Sequence, residues 1–149
     1  MSQIDHIIKS LQEIVSGTAA LATTLPGGLH HGQTLDDLSD LPYGTLLVEQ
    51  ENSQQHTSRV AIVDYFVILK VYVSERVDRA GEIVRVFYQY FNRISGLPSL
   101  DATQARFVLI SPGAAKVEED KSERFGKDII VGSARWLLRI EEFQTEIVA

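Results

Sequence analysis

The stretch VAIVDYFVILKVYV, residues 60–73, decides the fold because ERVDRAGEIVRVFYQYFNRI, residues 75–94, follows it almost at once. The first stretch has no glycine or proline, and it is rich in the β-branched and aromatic residues that favour strands. The second repeats apolar residues at spacings of three and four, which is typical of an amphipathic helix. These apolar positions are Val77, Ala80, Val84, Phe87, Phe91 and Ile94. We therefore predict a long strand that leads directly into a long helix.

The two faces of the predicted strand differ in polarity, since side chains alternate between the faces of a strand. One face is apolar throughout and contains Ala61, Val63, Tyr65, Val67, Leu69, Val71 and Val73. The other face contains Val60, Ile62, Asp64, Phe66, Ile68, Lys70 and Tyr72. Asp64 and Lys70 interrupt this second face and lie roughly 20 Å apart along the strand. Each of these two charges therefore needs water or a neighbouring residue rather than the other.

Weaker patterns before and after this unit complete the secondary-structure prediction. The segments predicted to be regular are helices at residues 2–15 and 19–25 and strands at residues 29–32, 43–50, 106–110 and 127–143. The segments predicted to be irregular are a loop at residues 33–42, a hairpin tip at 51–58 and an exposed, mobile excursion at 111–126. Within the last strand, Gly132 and Ser133 indicate a bulge or bend.

The order of these elements predicts an α+β fold in which residues 1–149 form a single domain. We expect an antiparallel or mixed sheet of four to five strands, with two main helices packed on one face. Two helices can cover only one face of such a sheet. The second face of residues 60–73 is then too apolar to meet open water, so a partner surface is its predicted cover.

Composition excludes several classes of protein. A chain of 149 residues with a net charge of −6 lacks the basic stripe that non-specific nucleic-acid binding requires. The absence of cysteine excludes disulfides and thiolate metal sites. No stretch approaches eighteen consecutive apolar residues, and the N-terminus lacks a cleavage site, so membrane insertion and secretion are disfavoured.

The sequence contains no strong signature of catalysis or metal binding. His30, His31, Asp36, Asp37 and Asp40 form the only cluster of metal-ligand types. Adjacent histidines on a strand point to opposite faces and the acids belong to a loop, so we predict no metal site. Phosphate loops, a nucleophile elbow and carboxylate pairs in apolar surroundings are also absent. We predict no catalytic, cofactor-binding or metal-binding residue and a protein that is not an enzyme.

Two short motifs and the order of elements resemble a known family. Residues 25–30 (LPGGLH) follow an Ala-rich run, and residues 41–43 (LPY) enter a strand. These features resemble the start of the tail-terminator and tail-completion (minor tail) proteins of long-tailed bacteriophages. The long strand, the amphipathic helix and the closing hairpin also match the order of elements in that family.

The resemblance implies a structural virion protein of phage or prophage origin. Its subunits would form a homo-oligomeric ring, typically six-fold, that contacts the tail tube and the head-completion proteins. It would reside in the virion and, during assembly, in the cytoplasm of the bacterial host. An acidic ring lumen would let DNA slide without specific binding.

The residues predicted to contact a partner are Asp64, Phe66, Lys70 and Tyr72, all on the second face of the long strand. In the alternative arrangement, a loop or a terminus of the chain itself covers them. Two other functions also stay open: a bacterial adaptor that binds another protein through the same face, and a small-molecule-binding or enzymatic domain.

Overall fold

The computed structural model describes residues 3–31, 42–55, 59–74, 77–120 and 129–143. Its helices are α1 (Gln3–Gly17), α2 (Ala19–Ala22) and α3 (Val77–Phe91). Its strands are β1 (Leu29–His31), β2 (Tyr43–Gln55), β3 (Val60–Ser74), β4 (Ala105–Asp120) and β5 (Ile129–Phe143). None of the helices in these ranges is long and apolar enough to cross a membrane.

The five strands form one mixed sheet in the order β1-β2-β3-β5-β4. β1 runs parallel to β2, and every other neighbouring pair is antiparallel. The predicted long strand is β3, which occupies the centre and pairs with β5 from Val60 opposite Phe143 to Ser74 opposite Ile129. The predicted α+β class, with a mixed sheet and two main helices, is confirmed.

Both main helices pack on the same face of the sheet, which we call the covered face. The β3 side chains on this face are all buried, with exposures from 0% to 6%. They share one hydrophobic core with Leu11 of α1, Phe87 and Phe91 of α3, and Trp136 of β5. The Trp136 indole N–H donates a 2.9 Å hydrogen bond to Oδ1 of Asn92, which satisfies the polar atom of a side chain with no exposed surface.

Gly132 allows α3 to lie close to β5. A Cβ atom at this position would collide with the Val84 side chain and lie 3.2 Å from the carbonyl oxygen of Ala80. Gly132 pairs in regular register with Val71 on β3 and Val117 on β4. The predicted bulge at Gly132 and Ser133 is therefore wrong, and the glycine serves the contact between helix and sheet.

Two strands extend further than the sequence predicted. β2 continues to Gln55, so residues 51–55 are strand rather than hairpin tip, and residues 56–58 lie outside the described ranges. β4 continues to Asp120, so residues 111–120 of the predicted excursion are strand, with residues 112–116 exposed, and residues 121–128 lie outside the described ranges. In both cases a backbone ladder with a neighbouring strand overrides the low strand propensity of a polar segment. The predicted loop at 33–42 lies, apart from Pro42, outside the described residues.

Candidate functional site

The face of the sheet opposite the helices is the candidate functional site, and we call it the open face. In the described part of the chain, all three helices contribute to the core on the covered face. Asp64, Phe66, Lys70 and Tyr72 lie together on the open face because β3 alternates without interruption between its two neighbours. The structure therefore places the four predicted contact residues in one row along the central strand.

Apolar side chains extend the open face on both sides of β3. Leu47 on β2 lies opposite Ile68, and Leu109 on β4 lies opposite Arg139 of β5. Leu47 is 41% exposed and Leu109 is 38% exposed. The two leucines lie on β2 and β4, with β3 and β5 between them, and each adds exposed apolar surface to this face.

The charge of Asp64 is neutralised within the sheet. Arg139, directly opposite on β5, donates from Nε to Oδ1 at 2.8 Å and from a terminal nitrogen to Oδ2 at 3.1 Å. Asp64 is only 7% exposed. Its hydrogen bonds and negative charge raise the pKa of Arg139 above the ordinary value for arginine. A partner would therefore meet a bidentate ion pair here rather than an isolated carboxylate.

Phe66 is covered by a residue of the next strand. The guanidinium carbon of Arg135 lies 3.6 Å from the centre of the Phe66 ring, in a cation–π arrangement. Phe66 is half-buried as a result, while Arg135 itself is exposed. The surface that a partner meets at this position is the flat side of an arginine lying on an aromatic ring.

Tyr72 belongs to a small apolar cluster at one end of the open face. It packs with Tyr43, Ile129 and Val131, separately from the main core. The Tyr43 ring stacks on His30 at a centroid distance of 4.6 Å, and Nε2 of His30 lies 2.7 Å from the carbonyl oxygen of Gly27. Lys70, between this cluster and Phe66, is the most exposed of the four predicted contact residues.

The two motifs that carry the family resemblance meet at the start of the parallel ladder. The Gly27 N–H donates to the carbonyl oxygen of Pro42 at 3.1 Å, and the Gly44 N–H donates to that of Gly28 at 3.0 Å. Gly28 has a φ of 86°, a backbone conformation that residues with a side chain rarely adopt, so this turn favours glycine. The LPGG segment thus docks against the LPY segment and aligns β1 with β2.

The histidine pair does not form a metal centre within the described ranges. His30 is engaged with Gly27 and Tyr43, and His31 is exposed. Asp36, Asp37 and Asp40 lie outside the described residues. Among the residues that the structure describes, no three histidine, aspartate or glutamate side chains are grouped so that they could hold a metal ion.

A cavity of about 380 Å³ lies between α1, α2 and the start of β1. Two of its polar lining residues already have partners within the chain. Gln12 donates to the carbonyl oxygen of Leu29 at 3.2 Å, and Glu13 accepts a 2.8 Å hydrogen bond from Ser99. These contacts tie α1 to the neighbouring segments, so the two side chains act as structural supports.

Sequence reasoning missed the residues that complete the open face. Arg135 and Arg139 lie on the face of β5 opposite Trp136, as side-chain alternation along a strand requires. Their partners Phe66 and Asp64 could not be found, because the register between β3 and β5 depends on strands that are far apart in the chain. Finding these partners from the sequence would have required a prediction of the register between β3 and β5.

No known protein-family model matches this sequence, and no curated protein is significantly similar to it.

Proposed function

We propose that this chain is a structural subunit that assembles with copies of itself through the open face. The observation that carries the proposal is the exposure of Leu47 and Leu109, at 41% and 38%, on a sheet face that no described helix covers. Burying such side chains between subunits removes apolar surface from water, which is the main favourable contribution to association.

The charges of the open face suit it to burial in an interface. Asp64 is held by Arg139, and Glu141 accepts a hydrogen bond from Arg106 at 2.5 Å. Because these ions are paired within one subunit, a neighbour does not need to supply a counter-charge for each of them. A contact between this face and a different surface of the next copy is heterologous, and heterologous contacts form a ring when the rotation between copies closes.

The specific role that we propose is that of a tail-terminator or tail-completion protein of a long-tailed phage or prophage. The order of the described elements, from α1 through the β2–β3 hairpin and α3 to β4 and β5, is the order on which the resemblance rests. The net charge of −6 also favours a ring through which DNA can pass without being held. In this role the ring joins the tail tube to the head, and the chain is not an enzyme.

The mass of the protein in solution tests the proposed assembly. Sedimentation velocity over a wide concentration range should show one discrete oligomer, of roughly 100 kDa if six copies of the 16.6 kDa chain associate. Negative-stain electron microscopy should show closed rings of uniform diameter. A continuous series of growing aggregates would contradict a closed ring.

A matched pair of variants locates the interface. Leu47→Glu places a charge on the open face, whereas Tyr90→Glu places one on α3, at a residue with almost the same exposure of 42%. We expect Leu47→Glu to shift the protein to monomers, and Tyr90→Glu to leave the oligomer intact. Equal masses for both variants would contradict the open face as the interface. A monomer that binds a different protein only when Leu47 is intact would instead identify an adaptor.

A further inference from the structure

The outer edge of β2 beyond β1 is a second feature without a paired strand in the described ranges. β1 pairs with Gly44, Thr45 and Leu46, whereas β2 continues to Gln55. The Gly44 N–H donates toward β1, and therefore away from β3. Because backbone groups alternate in direction along a strand, Val48 and Gln50 also direct their N–H and C=O groups away from β3. In the described ranges no strand pairs with this part of the edge.

Packing against the hydrophobic core does not hold this part of β2 in its extended conformation. All seven residues from Glu49 to Gln55 are exposed, on both faces of the sheet. Their glutamate, glutamine, asparagine and serine side chains have low strand propensity. The ladder with β3 holds them extended. An extended backbone whose outer side pairs with no strand of the described ranges is a template on which a further strand can pair.

The other long edge of the sheet is protected against such pairing. The outer edge of β4 contains two register shifts, between Phe107 and Leu109 and between Pro112 and Ala115. Pro112 and Lys116 also lie in this strand. Bulges, proline and lysine are the devices by which proteins block edge strands. β2 has one shift, after Gln50, and contains neither proline nor lysine.

The charges along β2 specify the kind of strand that fits. Glu49 and Glu51 are exposed, and β2 contains no basic residue. Glu49 lies on the open face two residues after Leu47, which is 41% exposed. An added strand would place one side chain beside each of these residues on the same face. An apolar residue beside Leu47 and a basic residue beside Glu49 give the favourable pairs.

We propose that the outer edge of β2 beyond β1, at residues 48–50 before the register shift, is a docking site for an extended basic strand of a partner protein. The strand adds to the sheet through the backbone groups of Val48 and Gln50, and its basic side chain pairs with Glu49. The backbone contacts lie at the edge of the sheet, so the inference does not require the proposed ring, although the side chains of the added strand would lie beside Leu47 and Glu49 on the open face.

Synthetic peptides added to the full chain test this site. The first probe is an eight-residue peptide with blocked termini. Threonine occupies every second position, and valine or lysine occupies the positions between. The second has glutamate in place of lysine, and the third is the lysine peptide with N-methylated amides on one edge. We expect the lysine peptide to bind about fivefold more tightly than the glutamate peptide, since each cross-strand charge pair contributes a modest amount. It should slow hydrogen exchange at the Val48 and Gln50 amides, and the N-methylated peptide should not bind.

Variants of β2 separate edge pairing from a general attraction of charges. Gln50→Pro removes an outward N–H and leaves the ladder with β3, so it should abolish binding of the lysine peptide. Gln50→Thr keeps the N–H and should bind like the natural chain. Glu49→Lys should reverse the preference in favour of the glutamate peptide. Thermal unfolding of each variant shows whether it is folded.

Two results would overturn the site. The first is an absence of amide protection at Val48 and Gln50 at millimolar lysine peptide. The second is the same preference for lysine over glutamate in Glu49→Lys as in the natural chain. Loss of rings in Leu47→Glu with intact peptide protection in the natural chain would leave the two proposals independently supported.

Discussion

The two faces of β3 belong to one strand and contain similar residues, but their side chains are buried to different extents. On the covered face, Val67, Leu69 and Val71 have no exposed surface, and α1 and α3 lie over the sheet. On the open face, Phe66 and Ile68 are half-buried and Lys70 is exposed. The covered face is sealed by helices packed on the sheet, whereas the open face is shielded in part by neighbouring strands within the sheet.

On the open face, contacts between neighbouring strands replace the cover that the helices give to the other face. Arg135 lies over Phe66, and Arg139 neutralises Asp64. An aromatic residue and a charged residue of the open face therefore already have contacts within the chain. Leu47 and Leu109 have no such shield in the described ranges, and in the proposed assembly they would contact another subunit. Four predictions test this comparison of the two faces.

The largest expected effect is on the covered face. Phe87 has no exposed surface, and its ring lies 5.7 Å from that of Phe91, edge to face. Phe87→Ala should lower the free energy of unfolding by about 3–5 kcal/mol, because a cavity replaces the ring. Urea unfolding measures the change, and Tyr90→Ala on the exposed side of α3 is the control. Loss of assembly with unchanged stability would place Phe87 in an interface instead.

A smaller effect should follow from filling the space between helix and sheet. Gly132→Ala brings a methyl group against Val84 and the Ala80 carbonyl oxygen. We expect a loss of about 1–3 kcal/mol in unfolding free energy, which is the usual cost of overpacking. The matched variant is Gly96→Ala, since nothing lies within 4 Å of an added Cβ there. Equal stability of the two variants would mean that α3 does not depend on a close approach at Gly132.

Tyr65 should contribute a pH dependence on the covered face. Its hydroxyl donates to Glu142 at 2.7 Å, and burial, followed by this hydrogen bond and the negative charge, raises the pKa of Tyr65 well above its ordinary value. Below about pH 10 both folded and unfolded states hold the phenolic proton. Above that pH the unfolded state releases it first, so stability should fall as pH rises.

The variant Tyr65→Phe removes this titration. We expect it to be less stable than the natural chain by about 1–2 kcal/mol at neutral pH, because a hydrogen bond to a charged group is lost. The difference should shrink between pH 10 and 11. Urea unfolding at a series of pH values measures both quantities, with the exposed Tyr90→Phe as control. A difference that stays constant above pH 10 would contradict the raised pKa.

The smallest expected effect lies on the open face. Arg135→Ala and Phe66→Leu, combined in a double-mutant cycle, should show a coupling of about 0.5–1 kcal/mol for the cation–π contact. The cycle is measured by urea unfolding at concentrations where the protein is monomeric. A coupling near zero would show that Arg135 does not shield Phe66 in solution, and the open face would then be more apolar than the structure indicates.

Much of the architecture could be predicted from local patterns. The alternation in β3 separates the residues of its two faces, and the spacing of Phe87 and Phe91 identifies the buried side of α3. The strand ends were less predictable. The polar residues of β2 after Gln50 and the proline-containing part of β4 look like loops, because their strand conformation comes from a neighbouring ladder rather than from propensity.

The sequence by itself determined which side chains share a face, because the period of a strand or helix is a property of the local backbone. Only the tertiary structure decided which residues meet across the sheet. The pairs Asp64 with Arg139 and Phe66 with Arg135 join residues of β3 to residues of β5 that come after a helix and a further strand. Such pairs depend on register, and a shift of one residue would move every side chain of β5 to the other face.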